Sequence, residues 1–85
     1  MKLIRTLRFS HNHEELEVRA IEDELGGIKV RVFRDGEAVT PTSYILKAED
    51  IADGAADNID LLGRAMEIAK TDVQEGNVAV DRNRA

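Results

Sequence analysis

Seven apolar residues, Ile51, Ala55, Ile59, Leu62, Met66, Ala69 and Val73, recur at helical spacing in the second half of the chain. At 100° per residue they fall within about 80° of one another, which is the pattern of a helix with one core-facing stripe. The first half has a different period. Residues 14–23 alternate, with Leu16, Val18 and Ala20 on one side and Glu15, Glu17 and Arg19 on the other. Residues 28–34 set Ile28, Val30 and Val32 against Lys29, Arg31 and Phe33, again with the period of a strand. Residues 2–9 and 37–46 read as the first and fourth strands. The pattern predicts an α+β fold: a four-stranded antiparallel β-meander with one face packed by a C-terminal amphipathic helix, preceded by a short helix.

Directly opposed residues of an antiparallel pair share a face, so loop lengths are constrained by the hydrophobic pattern. A two-residue Asp35-Gly36 turn opposes Val32 to Val39 and puts Val39 and Ile45 on the face of Ile28, Val30 and Val32. The Gly26-Gly27 connection needs an odd length. Either a three-residue loop from Leu25, pairing Ala20 with Val32, or a five-residue loop from Asp23 satisfies the faces. A four-residue loop at residues 10–13 opposes Leu7 to Leu16 and brings Leu3 and Leu7 into the core. Arg5 then points inward, its stem packing while its head reaches the margin of the sheet.

Pro41 has no amide hydrogen and belongs on an edge, so the fourth strand is expected to be an edge strand or to be interrupted there. An unbroken helix over residues 48–75 would be about 42 Å long, whereas strands of this size span about 25 Å. The expectation is a short helix at 48–54 and a main helix at 57–75 with Asp57 as its N-cap; one bent helix is the alternative. Gly76 is a natural stop. Residues 1–76 are read as one domain and 77–85 as a flexible tail, in which Val78 and Val80 could add a short strand.

Composition narrows the function. The chain has no cysteine, which excludes a disulfide framework and thiolate metal sites. No apolar run approaches the roughly 18 residues that span a bilayer, and Arg5 and Arg8 interrupt any signal-peptide core. A soluble, cytoplasmic protein is expected. Residues 1–47 carry eight basic and eight acidic side chains, and residues 48–85 carry four basic and nine acidic ones, so the helical part supplies the net charge of −5. An acidic chain is a poor nonspecific ligand for nucleic acid, which requires phosphate neutralisation.

Candidate chemistry is sparse. His11 and His13, beside Glu14 and Glu15, have the nitrogen and oxygen donors that zinc or nickel takes, but alternate residues of an extended chain point apart, so a solvated hairpin tip is the expectation. No nucleophile elbow, phosphate loop or dinucleotide fingerprint is present. Asp60 and Arg64 have the spacing of a helix-surface pair. A catalytic constellation and a cofactor are not expected.

Two surfaces remain. The outer face of the sheet carries Arg19, Ile21, Lys29, Arg31, Phe33, Thr40 and Thr42, with Tyr44 if the strand continues; basic groups around an aromatic suit single-stranded nucleic acid. Leu61, Ala65 and Ile68 widen the apolar arc of the helix to roughly 180°, more than one small sheet covers. They pack on the short helix or are buried in a homodimer, and Leu46, Ile21 and Phe33 add apolar groups elsewhere. The preferred expectation is a small non-enzymatic protein that works through protein–protein contact and self-associates as a homodimer. Single-stranded nucleic-acid contact through Arg19, Lys29, Arg31, Phe33 and Tyr44 is the alternative.

Overall fold

The computed structural model describes residues 2–41 and 44–80. The chain forms an antiparallel sheet of β1 (Lys2–His11), β2 (Glu14–Glu22), β3 (Gly27–Arg34), β4 (Glu37–Ala38) and β5 (Tyr44–Lys47), followed by α1 (Ala48–Ala56) and α2 (Leu61–Gln74). Strands β1, β2 and β3 pair in sequence order, and β4 and β5 both pair with β3 along its far edge. The helix α2 covers one face. Its Leu62, Ala65, Met66, Ala69 and Val73 are buried with Phe9, Leu16, Val18, Ala20, Ile28, Val30, Val32 and Val39 in one core. The α+β meander with a helix on one face is therefore the fold, with its fourth strand in two pieces.

The first hairpin loop is shorter than expected, the second has one of the two expected lengths, and both keep the expected faces. The β1–β2 turn has two residues, Asn12 and His13, with φ of 51° and 66°. This is the primed turn that matches strand twist, formed without glycine. It opposes Phe9 to Leu16 and Leu7 to Val18, a register two residues away from the one the pattern suggested. The β2–β3 connection is the five-residue alternative, with Glu22 opposite Ile28 and Ala20 opposite Val30. Asp23 organises it: its amide donates to the Gly27 carbonyl at 2.8 Å, and its Oδ1 accepts from the Leu25 and Gly27 amides, each at 2.9 Å. The three-residue loop would have lost these bonds.

Two segments are corrected outright. A bulge between Leu3 and Arg5 shifts the β1 register, so Leu3 opposes Ile21 on the outer face and is 53% exposed instead of joining the core. On the far edge, β4 keeps the register of the Asp35-Gly36 turn, with Arg34 opposite Glu37, and Val39 donates to the Val32 carbonyl at 3.0 Å. The strand then leaves the ladder near Pro41 and returns three residues out of step, with Val30 opposite Tyr44 and Ile28 opposite Leu46. An odd shift exchanges the faces. Tyr44 and Leu46 thus pack against the core, while Ile45 faces outward at 69% exposure.

The helix break also lies later than expected. Asp57 closes α1 instead of opening the main helix, and Asp60 is the N-cap of α2, accepting from the Gly63 amide at 3.0 Å. Asn58, at φ 60°, takes the left-handed position after α1; its amide donates to Ala55 and that of Ile59 to Gly54, the paired bonds of a Schellman end. Gly76 ends α2 in the same way, with Gly76 donating to Val73 and Asn77 to Asp72. Because the two helices are separate, the stripe of seven divides. Leu62, Met66, Ala69 and Val73 are buried, Ile51 and Ile59 are half-buried, and Ala55 is exposed. Beyond α2, Val80 packs on the core and residues 77–80 add no strand; the rest of the tail, like Thr42, lies outside the described residues.

Candidate interaction surface

An open groove lies between β1 and α2. It encloses about 760 Å³ and is lined by Arg5, Leu7, Met66, Asp60, Gly63 and Glu67, with Thr6, Arg64 and Ile68 completing its wall. Arg5 is inward-facing, as its position in the alternation requires, and its guanidinium crosses the groove to the N-cap of α2, 2.9 Å from Asp60. The Asp60 carboxyl is held below its usual value, first by the Gly63 amide and then by Arg5. This long-range pair takes the place of the Asp60–Arg64 helix pair expected from spacing. Nothing in the local pattern could have signalled it except the misfit of an arginine at an inward position.

The β1 side of the groove is an open strand edge. In a two-residue hairpin the closing residues, here His11 and Glu14, exchange backbone hydrogen bonds. Alternation then turns the backbone groups of Leu7 and Phe9 toward β2, and those of Thr6, Arg8 and Ser10 toward the open side. No other strand pairs with β1 among the described residues.

The helical candidates separate. Ala65 is buried in the chain's own core and Leu61 is half-buried, in line with packing on α1, where the buried Gly54 leaves room for it: a Cβ on Gly54 would lie 3.0 Å from Leu61. Ile68 is 46% exposed. Of the expected trio, only Ile68 presents substantial apolar surface.

The outer face of the sheet is less open than its sequence suggests. Arg19 lies opposite Arg31, a like-charge pairing that neither side chain could tolerate if it extended toward the other. They diverge. Arg19 lies over the Phe33 ring at 4.9 Å and reaches Glu17 at 3.4 Å, while Arg31 donates through Nε to the Thr40 carbonyl. Glu17 also lies 4.0 Å from Arg8. Laying Arg19 on the ring leaves its Nε buried without a hydrogen-bond partner among the described residues. Phe33 is therefore partly covered by a neighbouring cation, Lys29 is exposed, and Ile21 is half-buried beside Leu3. Tyr44 is on the opposite face, so it cannot complete an aromatic platform here. Thr40 is buried too, with its hydroxyl accepting from the Val32 amide at 3.2 Å.

At the first hairpin tip, His11 is half-buried at the strand end with its ring 3.2 Å from the Asn12 amide nitrogen, and His13 is an exposed turn residue. Among the described residues no three potential ligand side chains converge on a metal-sized site. No described helix is long and apolar enough to cross a membrane. The chain matches no protein-family model, no curated protein and no solved structure.

Proposed function

We propose that this is a non-enzymatic protein that works through protein–protein contact and associates with copies of itself in the cytoplasm. The observation that carries this reading is the coincidence of a ten-residue strand edge, unpaired among the described residues, with a groove at which the half-buried Leu7 and the exposed Ile68 present apolar surface. An open edge offers backbone donors and acceptors to a further chain, and apolar groups beside it add area. Light scattering over a rising concentration series tests the reading. A dimer at micromolar concentration is expected, and a monomer persisting to high micromolar concentration overturns it. Fractionation of cells checks the location.

A second reading, single-stranded nucleic-acid contact on the outer face, draws on the opposed Arg19 and Arg31 and the exposed Lys29. Against it stands the engagement of Arg19 with Phe33 and Glu17. Titration of a labelled oligonucleotide at low salt separates the two readings: salt-sensitive binding lost in Arg31→Ala supports the second, and an unchanged signal removes it.

A further inference from the structure

We infer that the partner at this edge is a second copy, joined β1 to β1 in antiparallel fashion about a two-fold axis that passes at Leu7, normal to the sheet. The inference rests on the self-association reading above and adds the surface, the symmetry and the register.

The far edge is a poor candidate for such pairing. It consists of strands of two and four residues in different registers, with the departure near Pro41 between them. In contrast, β1 is regular from Arg5 to His11. Its positive charges, which on an edge strand usually discourage pairing, are partly neutralised within the chain: Arg5 by Asp60 at 2.9 Å and Arg8 by Glu17 at 4.0 Å. The groove beside the edge brings two cations, Arg5 and Arg64, and two anions, Asp60 and Glu67. A surface with balanced charge suits an isologous contact, in which each patch must complement itself.

Symmetry, charge and burial then select the register. A closed antiparallel pair requires a two-fold axis along the sheet normal, which keeps both α2 helices on one face. Opposed residues share a face, so the axis must pass at a residue level and not between two residues. An axis at Arg5 or at Arg8 sets that arginine against its own copy, a repulsive cross-strand pair. An axis at Thr6 runs the pairing into the bulge between Leu3 and Arg5 one residue beyond Arg5. Axes at Leu7 and at Phe9 avoid both faults; Phe9 is already buried in its own core, whereas Leu7 is half-buried beside the groove, so burial places the axis at Leu7. That axis opposes Leu7 to Leu7, Thr6 to Arg8 and Arg5 to Phe9, all within the regular stretch and with no like charges facing. The outward backbone groups of Thr6 and Arg8 then meet each other's copies across the interface, and the half-buried Leu7 is covered.

The chain has no cysteine, so an introduced thiol is unique. At the axis, Leu7 turns its backbone groups away from the partner, so the pair is of the non-hydrogen-bonded type, with Cα atoms about 4.5 Å apart and within reach of a disulfide. Leu7→Cys is expected to form a disulfide-linked dimer under mild oxidation, while Lys29→Cys on the outer face and Thr71→Cys on α2 form no intermolecular disulfide. Thr6→Pro removes an outward amide without touching the β1–β2 ladder and is expected to abolish the dimer while retaining the circular dichroism of the wild type. In the unmodified protein, the Thr6 and Arg8 amides are expected to exchange slowly at high concentration and quickly on dilution. A dimer that crosslinks through Lys29→Cys, or whose Thr6 and Arg8 amides exchange at the same rate in dimer and monomer, overturns the β1 interface and leaves self-association standing. A wild-type monomer at every concentration overturns both.

Discussion

At one edge of the sheet β1 runs for ten residues with a single bulge; at the other, the strand beside β3 stops after Ala38 and resumes at Tyr44 in a different register. Both edges hang from the same two central strands and face the same solvent. They differ in how their backbone groups are used. On the far side the interruption is stitched by side chains: the buried Thr40 hydroxyl takes the Val32 amide and donates to the Pro41 carbonyl at 3.1 Å, and Arg31 holds the Thr40 carbonyl. On the β1 side no such substitute is present among the described residues, and the backbone of alternate residues is left to water or to another chain. A protein that blunts one edge and, among its described residues, leaves the longer one unpaired has a direction in which it can add a strand.

The largest expected effect tests whether the two edges share one cooperative core. Leu16, on β2 between them, is 1% exposed. Leu16→Ala should cost about 2–5 kcal/mol, a large part of the roughly 5–15 kcal/mol available to a small domain. Denaturant titration followed by both circular dichroism and Tyr44 fluorescence should show one shared transition at a lower midpoint. Separate transitions for the two probes would mean that the edges are independently stabilised. Next in size is the stitch on the far edge. Thr40→Val keeps the shape but leaves the Val32 amide buried and unpaired, at an expected cost of about 1–3 kcal/mol. Hydrogen exchange at Val32 should accelerate well before that at Val18; equal rates would show that the hydroxyl contributes nothing.

A smaller effect, of opposite sign, separates the two hairpin tips. The Asp35-Gly36 turn has a glycine at its second left-handed position, whereas the β1–β2 turn holds His13 at φ 66°. Relieving that residue should stabilise the protein, because a left-handed conformation costs a non-glycine residue roughly 1–2 kcal/mol. His13→Gly is therefore expected to raise the unfolding midpoint, by about 1 kcal/mol in equivalent stability. A lowered midpoint would indicate that the imidazole makes a contact worth more than the strain.

These elements also show what the sequence could and could not disclose. Face parity was legible wherever apolar and polar residues alternate, so Leu16, Val18, Ala20, Ile28, Val30 and Val32 were placed inward without knowledge of loop length. The Asp35-Gly36 turn declared its own length, but the first two loops did not, because registers two residues apart give the same faces; the choice was made by Asp23 hydrogen bonds and by an Asn-His turn that tolerates positive φ. Pro41 signalled the break in the last strand but not its size, and the size decides whether Tyr44 or Ile45 faces the core. Asp57 and Asp60 are both acceptable caps by residue type, and the Schellman end at Asn58 selected the second. The groove was the least legible feature. It is made by Arg5 and Asp60, residues 55 positions apart whose only advertisement was an inward arginine.

That pair supplies the smallest effect, and one with a definite sign. The Asp60 carboxyl is lowered below its reference of 3.8 by the Gly63 amide and by Arg5. A depressed native value means that the unfolded chain binds the proton more readily. The contribution of Asp60 to stability is thus fully present above the unfolded-state value near about 4 and is lost as the pH falls through the lower native value. The side chain is 62% exposed, so the pair is screened and its contribution stays below that of the buried sites. Many other carboxylates titrate in the same range, and only a difference isolates this one. Asp60→Asn retains an oxygen for the Gly63 amide but gives up the charge facing Arg5. The stability difference between wild type and Asp60→Asn should be constant near neutrality, shrink as the pH drops below about 4, and shrink further at high salt. A difference that grows on acidification would mean that Asp60 is not an anion held by the open edge, and the link between β1 and the start of α2 would have to be assigned to packing around Leu7 and Met66 alone.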